Sequence, residues 1–155
     1  MGSNKVRTFL DENGVKYVTV THSPAYTAME IAASAHIPGR ELAKTVMVKL
    51  DGELAMAVVP SLRNVDFDML AQAAACEEAE LANEEEFKYR FPDCEIGAMP
   101  PFGNLYGVPV YSCESLRDDE YIAFNAGTHT QLIRMPRKEY EKLVQPTVGL
   151  ISRND

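Results

Sequence analysis

The spacing of apolar positions changes along this chain, and each change marks an element. Near the start, Val6, Phe9 and Leu10 lie on one face at helical spacing, and Gly14 follows as a left-handed stop. Ser3 or Asn4 is placed to cap this helix. Residues 17–21, Tyr-Val-Thr-Val-Thr, are aromatic and β-branched and read as a strand. Thr27 followed three residues later by Glu30 forms a capping box, which opens a helix through about His36 before Pro38 and Gly39 end it. Two β-rich runs, 44–50 and 53–59, flank Asp51-Gly52, the strongest short-range signal for a hairpin. Asp66 caps a helix that carries Phe67, Leu70 and Ala74. Asn83 caps a second, acidic one that carries Glu84, Glu85 and Glu86, and each is expected to bury one face.

After Pro92 the periodicity stops. The stretch from Asp93 to Gly103 packs Gly97, Pro100, Pro101 and Gly103 close together, and such a segment continues neither a helix nor a central strand. It reads as a rigid loop whose shape the chain itself fixes. Strands are expected over 108–111, 121–125 and 131–135. Pro136 then begins a last helix through Tyr140 and Leu143, and 148–151 adds a closing strand. Strands outnumber helices and do not follow a βαβ rhythm, so the expected fold is α+β, a mixed barrel-like sheet flanked by helices. No repeat or linker interrupts it, and one domain over 1–155 is expected.

Composition narrows the function. Hydrophobic residues make up 46% and charged residues 25%, the balance of a soluble globular protein. No apolar run approaches the roughly 20 residues that span a bilayer, and no signal-peptide core follows the N-terminus. A cytoplasmic location and no membrane partner are expected. Cys76, Cys94 and Cys113 are an odd set without a CxxC pair, which argues against both a disulfide framework and a zinc site. Phosphate-loop, nicotinamide and flavin fingerprints are absent from the sequence, so neither cofactor nor metal is expected. Fifteen Lys and Arg stand against 23 Asp and Glu, a net charge of −8, which argues against an extended grip on DNA or any duplex. An enzyme that handles only the last nucleotide of an RNA needs far less positive surface.

Three segments narrow it further. Ala43-Lys44-Thr45-Val46 places a lysine at the start of a strand after the Gly39 bend. Gly97-Ala98-Met99-Pro100-Pro101-Phe102-Gly103 is a GxxxP loop with a trailing Phe-Gly. Ala126-Gly127-Thr128-His129 is a Gly-x-His turn between two strands. Singly these are weak. Together and in this order they resemble the YbaK/prolyl-tRNA synthetase editing-domain family over about residues 17–143. That resemblance implies a mixed barrel-like sheet flanked by helices, and hydrolysis of small amino acids misattached to tRNA. The family includes free-standing deacylases and a domain inserted in bacterial prolyl-tRNA synthetases. The Gly-x-His turn is closer to the inserted domain and to the alanine-clearing free-standing members than to the cysteine-clearing YbaK branch. The implied partner is the acceptor end of an aminoacyl-tRNA, with an aminoacyl-tRNA synthetase as a further candidate.

An aminoacyl ester is already activated, so its hydrolysis needs a placed water, a stabilised oxyanion and a pocket that excludes the correct amino acid. Neither a nucleophile elbow nor a Ser-His-Asp order is visible. By resemblance, Lys44 engages the ester or the terminal ribose, where a fixed ammonium would stabilise charge on the carbonyl oxygen. The plain alternative is a solvated strand lysine. Gly97 lets backbone approach a ligand closely, and Pro100 and Pro101 freeze the arrangement, although proline and glycine also build crossover loops. His129 is a candidate for orienting water or the amino acid, its imidazole titrating in the useful range, or else a structural turn residue. Ala98, Met99, Phe102, Gly127 and Thr128 complete the candidate substrate-binding set, with Met47, Met99 and Phe102 proposed to line the pocket. Cys94 is a rival nucleophile, but the flanking Asp93 and Glu95 would raise rather than lower its pKa. His22 and His36 read as structural or solvated, and Glu77 to Glu86 as a solvated acidic face. Two other functions stay open: a non-catalytic binding or regulatory module of the same fold, and a hydrolase of some other small aminoacyl ester.

Overall fold

The architecture follows from two antiparallel ladders and the point where they meet. In a computed structural model, which describes residues 5–23 and 27–153, helix α1 (Lys5–Glu12) buries Val6 and Leu10 and ends before Gly14, whose φ is +68°. The expected cap at Ser3 or Asn4 lies outside the described residues. Strand β1 (Val18–Thr21) leads to α2 (Ala28–Ser34), where the capping box forms. The Glu30 N–H donates to Thr27 Oγ1 at 3.2 Å, and the Thr27 N–H donates to Glu30 Oε1 at 2.9 Å. This helix stops two residues before His36, which turns left-handed at φ 57° while the Ile37 N–H donates to Ala32 O at 2.9 Å. That is a Schellman ending built on histidine instead of glycine.

The hairpin forms as β2 (Ala43–Leu50) and β3 (Glu53–Pro60), with Asp51 and Gly52 both at positive φ, as a two-residue I′ turn requires. The short β4 (Asn64–Val65) precedes α3 (Phe67–Ala74), whose first turn is capped by Asp66 Oδ1 accepting from Met69 N–H at 2.9 Å. Part of the acidic run is a strand, β5 (Ala79–Leu81), paired with the end of β2. Next come α4 (Glu84–Phe87), capped by Asn83, then β6 (Val110–Cys113) and β7 (Tyr121–Asn125). The chain closes with β8 (Gln131–Pro136), α5 (Arg137–Val144), β9 (Thr147–Gly149) and β10 (Ser152–Arg153). Strand β6 starts two residues later than expected because Pro109 lacks the N–H that a ladder needs.

One sheet runs in the order β5-β2-β3-β6-β9, with β3, β6 and β9 parallel; a second runs β1-β8-β7, antiparallel; and β10 pairs with β4. A parallel bridge from Leu42 to Ala123 joins the first two. The barrel-like expectation therefore takes the form of two larger sheets joined by this bridge and not closed into a barrel.

Alternation divides the side chains between two faces. One face carries Met47, Met56, Val58, Ile122, Phe124 and Ile133 into the main core with α1, α5 and the 99–108 segment. The reverse face carries Val48, Ala55, Ala57 and Val59 against Leu70 of α3, while Leu42, Ala123 and Leu132 pack on Ile31 of α2.

The Phe-Gly that trails the GxxxP loop is buried in the main core. A Cβ on Gly103 would sit 2.2 Å from Val108 O and 2.7 Å from Val110 Cγ2. The Gly103→Ala variant should therefore lose roughly 2–3 kcal/mol of stability, read as a lower urea midpoint at unchanged m-value. A midpoint within error of the parent would show that the backbone yields there without strain.

Candidate functional site

The GxxxP loop and the Gly-x-His turn are laid against each other by hydrogen bonds. The Glu95 N–H donates to Gly127 O at 2.8 Å, and the Gly127 N–H donates to Ala98 O at 2.9 Å. The His129 N–H donates to a carboxylate oxygen of Glu95 at 2.6 Å, and His129 Nε2 lies 2.7 Å from Ile96 O. A carbonyl only accepts, so Nε2 carries the hydrogen and the neutral ring keeps its lone pair on Nδ1. Gly97 and Gly127 both take positive φ, 84° and 91°. A Cβ on Gly97 would stand 3.4 Å from His129 Cε1, an ordinary van der Waals contact, so glycine here answers the backbone angle while the ring packs alongside.

The far end of the loop is anchored in the core. Ala98, Met99, Pro100 and Pro101 are buried, and the Tyr140 hydroxyl donates to Pro101 O at 2.8 Å. Burial pushes the Tyr140 phenol well above its ordinary range, which keeps it a donor. Phe102 is fully buried, with ring centroids 6.1, 5.5 and 5.3 Å from Phe9, Phe124 and Tyr140. Phe102 and Met47 thus spend their side chains on the core, holding the loop and strand rather than lining a cleft.

Lys44 lies on the reverse face of β2. It pairs with Val59, and it shares that face with Leu42, two residues before. Leu42, two residues before Lys44, bridges Ala123 of β7 in parallel, two residues before β7 ends at Asn125. Lys44 is half-buried, and loss of solvent lowers its pKa below the usual lysine range. No ion pair involves Lys44 among the described residues.

Other candidates fall around this end of the sheet. Thr128 is buried, and its hydroxyl shares a hydrogen bond of 3.3 Å with that of Thr130. The His22 N–H donates to Thr130 O at 2.7 Å, which brings that residue to the rim of the turn; its buried Nε2 meets no partner among the described residues. His36 only ends α2. Cys94 faces Tyr106 and Asp93, with Sγ 3.4 Å from the Tyr106 hydroxyl, so it is tied into the packing behind the loop. Sequence reasoning missed Glu95 as a residue that ties the loop to the turn, since a loop glutamate carries no local signal and its partner His129 lies far along the chain.

Among the described residues no group of three His, Cys, Asp or Glu is placed to hold a metal ion, and no helix is long and apolar enough to cross a membrane. The family model for the aminoacyl-tRNA editing domain matches residues 22–143. No curated protein sequence matches the chain. Among solved structures, the hypothetical protein APE2540 superposes with a TM-score of 0.83 at 18% identity, over 96% of this chain and 99% of that one. A protein described as a candidate trans-editing enzyme for prolyl tRNA synthetase gives 0.82 at 21% identity, over 97% and 96%. A candidate signal transduction protein from Marinobacter aquaeolei VT8 gives 0.77 at 15% identity, over 99% of this chain and 31% of that one. At these identities the likeness establishes the fold.

The close fit of Gly97 against His129 has a measurable consequence. In Gly97→Ala, the left-handed backbone should lower stability by about 1–2 kcal/mol, and the added methyl beside the ring should shift the His129 Cε1–H resonance in NMR spectra. An unmoved resonance would mean that the ring and the loop do not touch.

Proposed function

Because this chain belongs to the aminoacyl-tRNA editing domain family, we propose that it acts in trans to hydrolyse the ester of a mischarged aminoacyl-tRNA carrying a small amino acid. Alanine, cysteine and serine are the candidate amino acids, on tRNA-Pro or another tRNA. The observation that carries the proposal is the hydrogen-bonded joining of a proline-stiffened loop to a glycine-histidine turn, and a half-buried lysine without an ion pair among the described residues supports it. The solved neighbour described as a candidate trans-editing enzyme supports the same reading by its fold.

The chemistry asked of these groups is modest. Water attacks the ester carbonyl, negative charge gathers on its oxygen, and the terminal ribose hydroxyl leaves. An ammonium in a partly desolvated position stabilises that charge more than one in bulk water would. In this reading Lys44 supplies it, held near the start of β2 opposite Val59. The N–H groups of Gly97 and Met99 donate to no described residue, and they offer further donors to the substrate. His129 orients the amino acid or the water from the turn. With Nε2 donating to Ile96 O, its one lone pair for a proton is on Nδ1. Pocket volume then selects the amino acid, at ~1–3 kcal/mol per methylene.

The test is a panel of tRNAs charged with alanine, serine, cysteine or threonine, alongside Lys44→Ala. The parent should release free amino acid at catalytic protein concentration, and the variant should lose roughly 10²–10³-fold in kcat/KM. After subtraction of spontaneous hydrolysis, activity should fall as pH rises through the lowered Lys44 pKa, at a lower pH than an exposed lysine would give. Full activity in the variant would remove Lys44 from the mechanism. Tight binding of an aminoacyl-adenosine mimic without turnover would instead favour a binding module.

A further inference from the structure

The turn that ends in His129 is held on both sides by one residue. The Glu95 main chain grips the entry, its N–H donating to Gly127 O at 2.8 Å, and the Glu95 carboxylate grips the exit, accepting the His129 N–H at 2.6 Å. The Glu95 carbonyl meanwhile accepts the Ala98 N–H at 3.0 Å, which closes the first turn of the GxxxP loop. The orientation of the peptide units from Gly127 to His129, and with them the reach of the imidazole to Ile96 O, therefore depends on a glutamate 34 residues away.

We infer that Glu95 is a positioning residue of this site, its carboxylate clamping the Gly-x-His turn in register with the GxxxP loop. The inference rests on the editing reading given above for what the site does, but the clamp itself is observable without catalysis. A hydrogen bond from a backbone N–H to a charged carboxylate is among the stronger kinds. Glu95 is exposed, and among the described residues no ion pair engages it, so its removal opens no cavity. Its loss should fall on the geometry of the turn, where a displacement of about 1 Å costs as much as 10²-fold in rate, and hardly at all on the fold.

Glu95→Ala and Glu95→Gln separate the possibilities, since the glutamine amide oxygen still accepts a hydrogen bond without the charge. In ¹⁵N NMR, hydrogen exchange of the His129 amide should be slow in the parent, fast in Glu95→Ala and intermediate in Glu95→Gln. On the mischarged tRNA that the parent hydrolyses best, kcat should fall ~10–100-fold in Glu95→Ala with KM within about twofold, and recover in large part in Glu95→Gln. The thermal midpoints of both variants should stay within about 3 °C of the parent. Unchanged exchange of the His129 amide in Glu95→Ala would overturn the clamp. Fast exchange with unchanged kcat would overturn the positioning role and leave a structural contact only. A parent that hydrolyses none of the aminoacyl-tRNAs, yet shows the protected amide, would sink the editing reading and the positioning role with it, while the clamp stands.

Discussion

One parallel bridge, between Leu42 and Ala123, joins the two larger sheets two residues before Lys44. It is reinforced by charge. Glu41, one residue before the bridge, is only 5% exposed, and Arg134 of β8 holds it through two bonds of 3.0 and 3.3 Å. The same guanidinium lies 4.2 Å from the centre of the Tyr121 ring on β7. A buried carboxylate that lost this partner would be an uncompensated charge, which is far more damaging than the pair is stabilising. Glu41 and Arg134 therefore fix where β2 enters the sheet, and the Ser61 N–H, donating to Leu42 O at 2.7 Å, fixes it from the hairpin side. Lys44 inherits its position from that entry.

The second element of the site gets its rigidity by a different route. Its core end is locked by rings and by the Tyr140 hydroxyl on Pro101 O, and its outer end by hydrogen bonds to the turn. Pro100 and Pro101 sit between the two anchors, where a flexible backbone would let them drift apart. A loop pinned at both ends and stiff between them loses little entropy when a ligand arrives.

Much of this was legible in the sequence because much of it is local. The Asp51-Gly52 hairpin, the Thr27, Asp66 and Asn83 caps and the Gly14 stop each depend on residues within a few positions of one another, and all formed. Strand β5 was hidden inside an acidic run, since Glu80 faces water and only pairing with β2 makes the segment a strand. The three motif segments were visible one by one, but not how they are joined. The Glu95 carboxylate reaches across 34 residues to the His129 N–H. Neighbourhood in sequence also misled. Met47 is three residues from Lys44, and a period of two turns an odd spacing on a strand to the opposite face, so the methionine packs in the core.

These arrangements bear on how the proposed hydrolysis would be driven. The His129 ring is already bonded through Nε2, so using that nitrogen as a base would first require breaking the contact with Ile96 O. Cys94 Sγ is engaged with Asp93 and the Tyr106 hydroxyl behind the loop. What the proposed hydrolysis would draw on is electrostatic: a half-buried ammonium on one strand and the main chain of a proline-stiffened loop. An aminoacyl ester is the sort of acyl group for which that suffices, because its leaving group is an activated ribose hydroxyl and water needs little help beyond placement. The acidic surface is compatible with this economy. With a net charge of −8, affinity has to come from the acceptor end seated in the site, not from a broad grip on the tRNA body.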